Sequence, residues 1–352
     1  MLYIIIAILM FGILIALHEF GHFITAKLLG VRVNEFAIGM GPLLFSTQKG
    51  ETQYSLRAIP MGGFCAMEGE DDASDDPRAF SNKPAWRKFI ILVAGSFMNF
   101  LTGFVLLALL LAQNTFFVVP VIDTLMEGFP YESAQGLLPG DRIVRVNGER
   151  IYTKSDLDLF FGRDEDGIMD LVIERDGVRL ERPGFDLRPR EYTYEGETVQ
   201  MRGLICVREP FHVGNWLRQS WYNTIDMVRM VRLSLVDLFS GRAGIQDMSG
   251  PIGIVTMMSD VGAQSPNMAA ALANILWFVA FIAINLAVMN LLPIPALDGG
   301  RIFFLAVNGL FSLLTRRKLD PKYEGYVNMA GFCCLILLMV VVAFNDIVKL
   351  FA

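Results

Sequence analysis

The chain has 352 residues, 53% of them hydrophobic and 19% charged. Soluble domains carry about a quarter charged residues, so this balance, with a mean hydropathy of +0.46, excludes a disordered chain and argues against an ordinary cytosolic enzyme. The net charge of −6 argues against a general nucleic-acid binder, which needs a basic surface. The length allows roughly two or three folding units. Four cysteines with no C-x-x-C pair make no disulfide scaffold, and all four read as small buried hydrophobes.

A membrane crossing takes about 20 helical residues. Four stretches meet that length: 2–29, 89–112, 269–292 and 326–344. The first lacks the leading cations of a secretory signal; its first cations, Lys27 and Arg32, come at its end. Lys49, Arg57, Arg78, Lys83, Arg87 and Lys88 follow, and Arg316, Arg317, Lys318 and Lys322 lie after the third span. The positive-inside rule then puts the N-terminus and the long insert between spans two and three outside, with the basic loops in the cytoplasm.

Between the spans, 34–69 reads as extended. Asn34-Glu35-Phe36-Ala37-Ile38 and Tyr54-Ser55-Leu56-Arg57-Ala58-Ile59 alternate, with Gly39, Gly41 and Pro42 between them, which predicts a hairpin or small sheet. Glu68, Glu70, Asp71, Asp72, Asp75 and Asp76 follow; a solvated loop is the simplest reading, and the spacing fits no EF-hand calcium loop. Residues 115–211 have soluble composition. Their run Gly136-Leu137-Leu138-Pro139-Gly140-Asp141-Arg142-Ile143-Val144-Arg145-Val146-Asn147-Gly148 resembles the signature of PDZ domains, which hold peptide C-termini or extended segments by strand addition. A small β-rich spacer is the alternative. A second strand pair, 170–174 and 178–182, is joined by Arg175-Asp176-Gly177. Residues 215–239 predict an amphipathic interfacial helix, and Met248-Ser249-Gly250-Pro251-Ile252-Gly253 a broken turn before the third span.

The chemistry concentrates in His18-Glu19-Phe20-Gly21-His22. On a helix, positions i and i+4 put both imidazoles on one face with a bite suited to one Zn²⁺, while Glu19 is placed to act as general base. Two of the chain's three histidines lie here, inside an apolar span where polar groups are expensive; His212 reads as an ordinary surface residue. A catalytic zinc needs a third ligand and an open position. Asp298 is the acid that stands out at membrane depth, in Asn290-Leu291-Leu292-Pro293-Ile294-Pro295-Ala296-Leu297-Asp298-Gly299-Gly300. Capping of the next helix would explain the Asp, but not the two prolines beside it.

These motifs in this order resemble the site-2 protease family of intramembrane zinc metalloproteases, closest to its bacterial sigma-factor-regulating branch. The resemblance implies His18, His22 and Asp298 as ligands of one Zn²⁺ and Glu19 as catalytic base. It implies a membrane-reentrant β-loop at 34–69 and substrate contacts from Asn290 and Asn285. Because a substrate helix must unwind before it is cut, the edge near 59–63, with Met61, Gly62 and Gly63, is expected to pair with the unwound stretch as a strand. The expected fold is a polytopic α-helical membrane protein of about four spans with a reentrant β-hairpin or sheet and an inserted PDZ-like domain. The expected layout is 1–30 first span, 31–88 cytoplasmic side, 89–113 second span, 114–212 PDZ-like domain, 213–268 interfacial helix and Gly-Pro turn, 269–315 third span, and 316–352 loop and fourth span. The expected location is the bacterial inner (plasma) membrane, and the expected partners are transmembrane-segment substrates, peptides at the PDZ-like domain and lipid, with no nucleic acid. The best-known sigma-E-regulating members carry two tandem PDZ domains, whereas this insert has room for one, which opens the choice between an anti-sigma factor and leftover signal peptides as substrate. Ser96 stands where relatives often have Pro. A non-catalytic membrane scaffold that binds peptides is the rival of another class. A further expectation is that the PDZ-like domain gates substrates by size.

Overall fold

Uninterrupted apolar length sets the long helices. In the computed structural model, which describes residues 2–70, 74–194, 196–316 and 321–351, α1 (Leu2–Leu28) leads into two long strands, β1 (Val33–Lys49) and β2 (Thr52–Met67), and then α2 (Ala85–Leu111). A β-rich segment follows: β3 (Phe116–Leu125), β4 (Arg142–Val146), β5 (Glu149–Arg150), α3 (Lys154–Arg163), β6 (Ile168–Arg175), β7 (Val178–Asp186), β8 (Arg190–Tyr194), β9 (Glu197–Met201) and β10 (Leu204–Pro210). The chain ends in α4 (Val213–Phe239), α5 (Pro251–Ala263), α6 (Met268–Asn290), α7 (Asp298–Thr315) and α8 (Pro321–Phe351). Among the described residues four helices are long and apolar enough to cross a membrane: Ile4–Leu28, Ala85–Leu111, Met268–Asn290 and Lys322–Lys349.

The chain divides into two compact units, Met1–Leu107 with Met227–Ala352, and Ala108–Asp226. In the first, α1 packs on α5 and α6 through Ala7, Leu14, Met258, Ile275, Val279, Ile282 and Ala283. The α5 helix is a departure from the broken turn expected at 248–253. Gly250 caps it, Pro251 starts it, and 13 residues make it too short to stand out as a span. Its N-terminal amides find a partner far along the chain: Gly250 and Gly253 donate to Asp346 Oδ2 of α8 at 3.0 and 2.9 Å.

The paired strands fold back on themselves. Phe36 has Cys65 on one side and Tyr54 on the other, and Ile38 has Gly63 and Leu56, so the start of β1 lies between two parts of β2. The return needs sharp bends, supplied at Gly39 and Gly41, both at positive φ. One flank of this ribbon shares a core with α1 and α2 through Val31, Val33, Cys65, Met67, Phe80, Ile91 and Leu92, whereas Met40, Leu43, Leu44 and Phe45 remain exposed.

The acidic loop is solvent-accessible and tied to its neighbours by polar contacts. Asp71 and Asp72 lie outside the described residues. Glu68 accepts from Ser74 and Asn34, Asp76 pairs with Arg32, and Glu70 pairs with Arg301 of α7. The Ser74 hydroxyl, then the Asn34 amide, holds the Glu68 carboxyl below the usual carboxylate range, and the Arg78 amide does the same first for Asp76. The cysteine expectation holds for Cys65 and Cys206, which are buried, but not for Cys333 and Cys334, which are exposed on α8. A span facing lipid hides apolar side chains in the bilayer and not in protein.

In the second unit the sheet runs β10-β3-β4-β6-β7, with β5 paired to β4 and a separate β8-β9 pair. Asn147-Gly148 and Asp176-Gly177 are all at positive φ, as two-residue hairpin turns demand. Asp141, fully buried, accepts both Nε and Nη2 of Arg175 at 2.6 and 2.7 Å and the Leu138 amide. Thr153 and Asp156 close a capping box on α3. His212 and Asn215 form a comparable reciprocal pair at the start of α4, each backbone N–H donating to the other's side chain.

Candidate active site

Three segments of the first unit meet at one point. His18 and His22 lie one turn apart on α1, both buried. Close approach of α2 is permitted by Gly21 and Gly95. A Cβ on Gly21 would stand 2.4 Å from Ala94 O, and one on Gly95 would stand 2.4 Å from His22 Nε2 and 2.7 Å from His18 Cε1. Asp298 arrives as the first residue of α7, whose cap is the side-chain-silent Leu297. Its carboxylate is turned to the histidines and does not cap the helix: Oδ2 is 3.1 Å from His18 Nε2 and 3.3 Å from His22 Nε2. The two Nε2 atoms are 3.1 Å apart.

The tautomers follow from the outer contacts. His22 Nδ1 donates to the carbonyl of Ile91 at 2.8 Å, which leaves Nε2 with a lone pair. Behind His18, the Asn99 carboxamide reaches Nδ1 at 3.3 Å. Its Oδ1 has no partner among the described residues, and rotation of the amide plane lets that oxygen accept the Nδ1 proton and free Nε2. Asn99 was not singled out from the sequence. The available signal was an amide four residues after a glycine in a span otherwise free of charge.

The site opens on a cavity of about 250 Å³ whose walls include Ile15, Glu19, Leu286 and Asn290. A water occupies about 30 Å³, so the space takes more than a solvent molecule. Glu19 also neighbours the ribbon: a Cβ on Gly63 would lie 3.5 Å from Glu19 Cγ, and one on Gly12 of α1 would lie 2.4 Å from Pro60 O. Gly62, at φ +102°, packs against Met40, while the Met61 side chain lies outside the described residues. Asn285 is half-buried on α6 and does not line the cavity.

The donor set is one that could hold a metal ion. His18, His22 and Asp298 are the one group of three metal-binding side chains among the described residues. The buried Asp298 Oδ2 has no hydrogen-bond donor among the described residues, so three electron-rich atoms converge with nothing of opposite charge between them. Tetrahedral zinc with N and O ligands at about 2.0–2.1 Å sets those atoms about 3.3–3.4 Å apart, close to the 3.1–3.3 Å triangle here. The residues fit zinc. A membrane-embedded helical body with a His-Glu-x-x-His helix and a distant third carboxylate defines a class of metallopeptidase.

Comparison with known proteins agrees. The profile of peptidase family M50 matches residues 6–338. A protein of Clostridium acetobutylicum whose name puts it among the zinc metalloproteases is 36% identical, over 98% of this chain and 97% of its own length. One from Fusobacterium nucleatum, named likewise, is 34% identical over 98% of both chains. The regulator of sigma-W protease RasP of Bacillus subtilis is 28% identical over 98% of both. The chain belongs to peptidase family M50, the site-2 proteases. It is a multi-pass membrane zinc metalloprotease.

Proposed function

We propose that this protease cuts peptide bonds in or near the transmembrane segments of membrane proteins, with His18, His22 and Asp298 as zinc ligands and Glu19 as base. The carrying observation is where the chemistry lies: the ligand triangle and its cavity are built on a helix of span length, Ile4–Leu28, with apolar Ile15 and Leu286 as walls.

A substrate helix hides its amides in i to i−4 hydrogen bonds and must unwind first. In lipid each freed group costs several kcal/mol unless paired again. The outer edge of β2 at Ile59–Gly63, next to Glu19, supplies that pairing by adding the unwound stretch as a strand, with Met61, Gly62 and Gly63 as the contact. The exposed apolar face of Met40, Leu43, Leu44 and Phe45 supports a ribbon that dips into the bilayer. Asn290 pairs with remaining backbone groups, and Asn285 extends the same role along α6. Bound zinc supplies Lewis-acid polarisation of the scissile carbonyl and makes water acidic enough to attack near neutral pH. Glu19 takes the proton of the attacking water and passes it to the leaving amide nitrogen. Glu19→Gln is expected to slow cleavage of a transmembrane substrate by about 10²–10⁴-fold while keeping zinc; cleavage at the wild-type rate would refute the mechanism.

The second unit is read as a PDZ-like peptide-binding domain. A cavity of about 520 Å³ lies between the start of β3 and the start of α3, bordered by Phe116, Val118, Thr153, Ser155, Gln219 and Asn223. Phe211 N–H donates to Thr115 O and Phe117 pairs with Glu209. By strand alternation Phe116 and Val118 then turn their backbone groups away from β10, available to an extended peptide. The basic loops at 31–88 and 316–322 support an N-out topology, with this unit on the outer side of a bacterial plasma membrane. That the Bacillus subtilis relative is named for regulating sigma-W favours an anti-sigma factor as substrate; remnant signal peptides are the competing class. Mass spectrometry of material trapped on Glu19→Gln separates the two.

A further inference from the structure

The segment joining α6 to α7 reaches Asp298 two residues after Ala296, and Ala296 sits at φ +72°, a left-handed conformation unfavourable for any residue with a side chain. Its amide N–H donates to Oδ1 of Asn328 on α8 at 3.3 Å. Nearly one turn further along α8, Gly331 meets the same loop: a Cβ there would stand 2.3 Å from Pro295 Cβ and 3.1 Å from its carbonyl. On the other flank a Cβ on Gly299 would stand 2.2 Å from Leu292 O, and one on Gly300 would stand 2.3 Å from Ile294 O. Glycines of α7 and α8 thus grip the loop from two directions. The α8 helix otherwise buries little, since Val342 and Asp346 are its buried side chains among the described residues. A half-buried amide on such a helix, spent on one strained turn beside a candidate metal ligand, calls for a functional account.

We infer that Asn328 is a positioning residue for the metal centre: by accepting the Ala296 N–H it holds the left-handed turn that presents Asp298 to His18 and His22. The inference rests on Asp298 being a zinc ligand. Without the acceptor, Ala296 is free to leave the left-handed region, the turn rotates, and the carboxylate swings away from the imidazoles. The last helix of the chain is then part of the machinery that retains the metal, although it contributes no ligand.

The test uses the full-length, zinc-loaded protein in detergent. Release of zinc to an excess of chelator is followed with a metal indicator, and folding is followed by monodisperse elution. Asn328→Leu is expected to release zinc about tenfold faster than wild type, the usual cost of losing a ligand-orienting contact. Ala296→Gly adopts the turn without strain, so the double variant Ala296→Gly/Asn328→Leu is expected to return to within about threefold of wild type, as a coupled pair should. If Asn328→Leu does not fold, Asn328→Ala gives the same comparison. Wild-type zinc retention by Asp298→Ala would sink the ligand assignment itself. Rapid loss in Asp298→Ala with wild-type retention in Asn328→Leu would overturn the positioning role alone. So would a double variant that releases zinc as fast as Asn328→Leu.

Discussion

At the scale of single residues, the site is a set of atoms whose spacing leaves little freedom. Gly95 is one case: its missing side chain is the space in which the two imidazoles sit. Gly95→Ala is expected to displace His22 and abolish zinc binding, read as metal content of the purified protein. Glu19→Gln is expected to lower turnover by about 10²–10⁴-fold, the usual share of a general base, with zinc content unchanged. The sequence made much of this legible. Two histidines four apart name one helix face, and an acid beside two prolines at membrane depth names itself. It did not reveal the Asn99 contact to His18 or the Ile91 carbonyl behind His22, because those partners are set by how two helices cross. His212 escaped for a related reason: its capping role depends on backbone geometry around Asn215.

At the scale of elements, short polar clasps hold long apolar pieces. The buried Asp346 carboxylate satisfies two amides at the start of α5. Asp346→Ala removes that acceptor and is expected to destabilise the α5 N-terminus by about 1–3 kcal/mol, seen as faster hydrogen exchange at Gly253. The acidic loop gives a pH dependence. Glu68 and Asp76 have lowered pKa values in the folded state, so the folded loop binds protons less readily than the unfolded one. Their stabilising contribution is complete above the ordinary carboxylate range and fades as pH falls through the lowered values. Exchange of the Phe80 and Ser81 amides, which bond to Glu68 and Gly69, is expected to accelerate in acid after correction for intrinsic rate. Periodicity announced the paired strands of 34–69 but not their folding back, since alternation along a strand says nothing about what lies on its second edge. The α5 helix was missed because 13 mostly apolar residues opening with Pro read equally as a turn before a span.

At the scale of the whole molecule, two compact units have separate cores, and their stabilities should answer to different insults. Stripping zinc is expected to loosen the first unit and leave hydrogen exchange in β4 and β6 unchanged. Arg175→Ala strands the buried Asp141 carboxylate and is expected to cost the second unit about 3–5 kcal/mol without altering zinc content. Span number was readable from the chain because bilayer thickness fixes helix length. The assembly of the metal site from opposite ends of the chain has a consequence in time. With Asp298 as the third ligand proposed above, at about 5–20 residues per second a ribosome delivers His18 and His22 tens of seconds before the carboxylate that completes the set. Throughout that interval the nascent chain threads into a crowded membrane with an incomplete blade. On that assignment cutting power waits for Asp298 to emerge and fold against α1, so the newborn protease is expected to spare its neighbours until then.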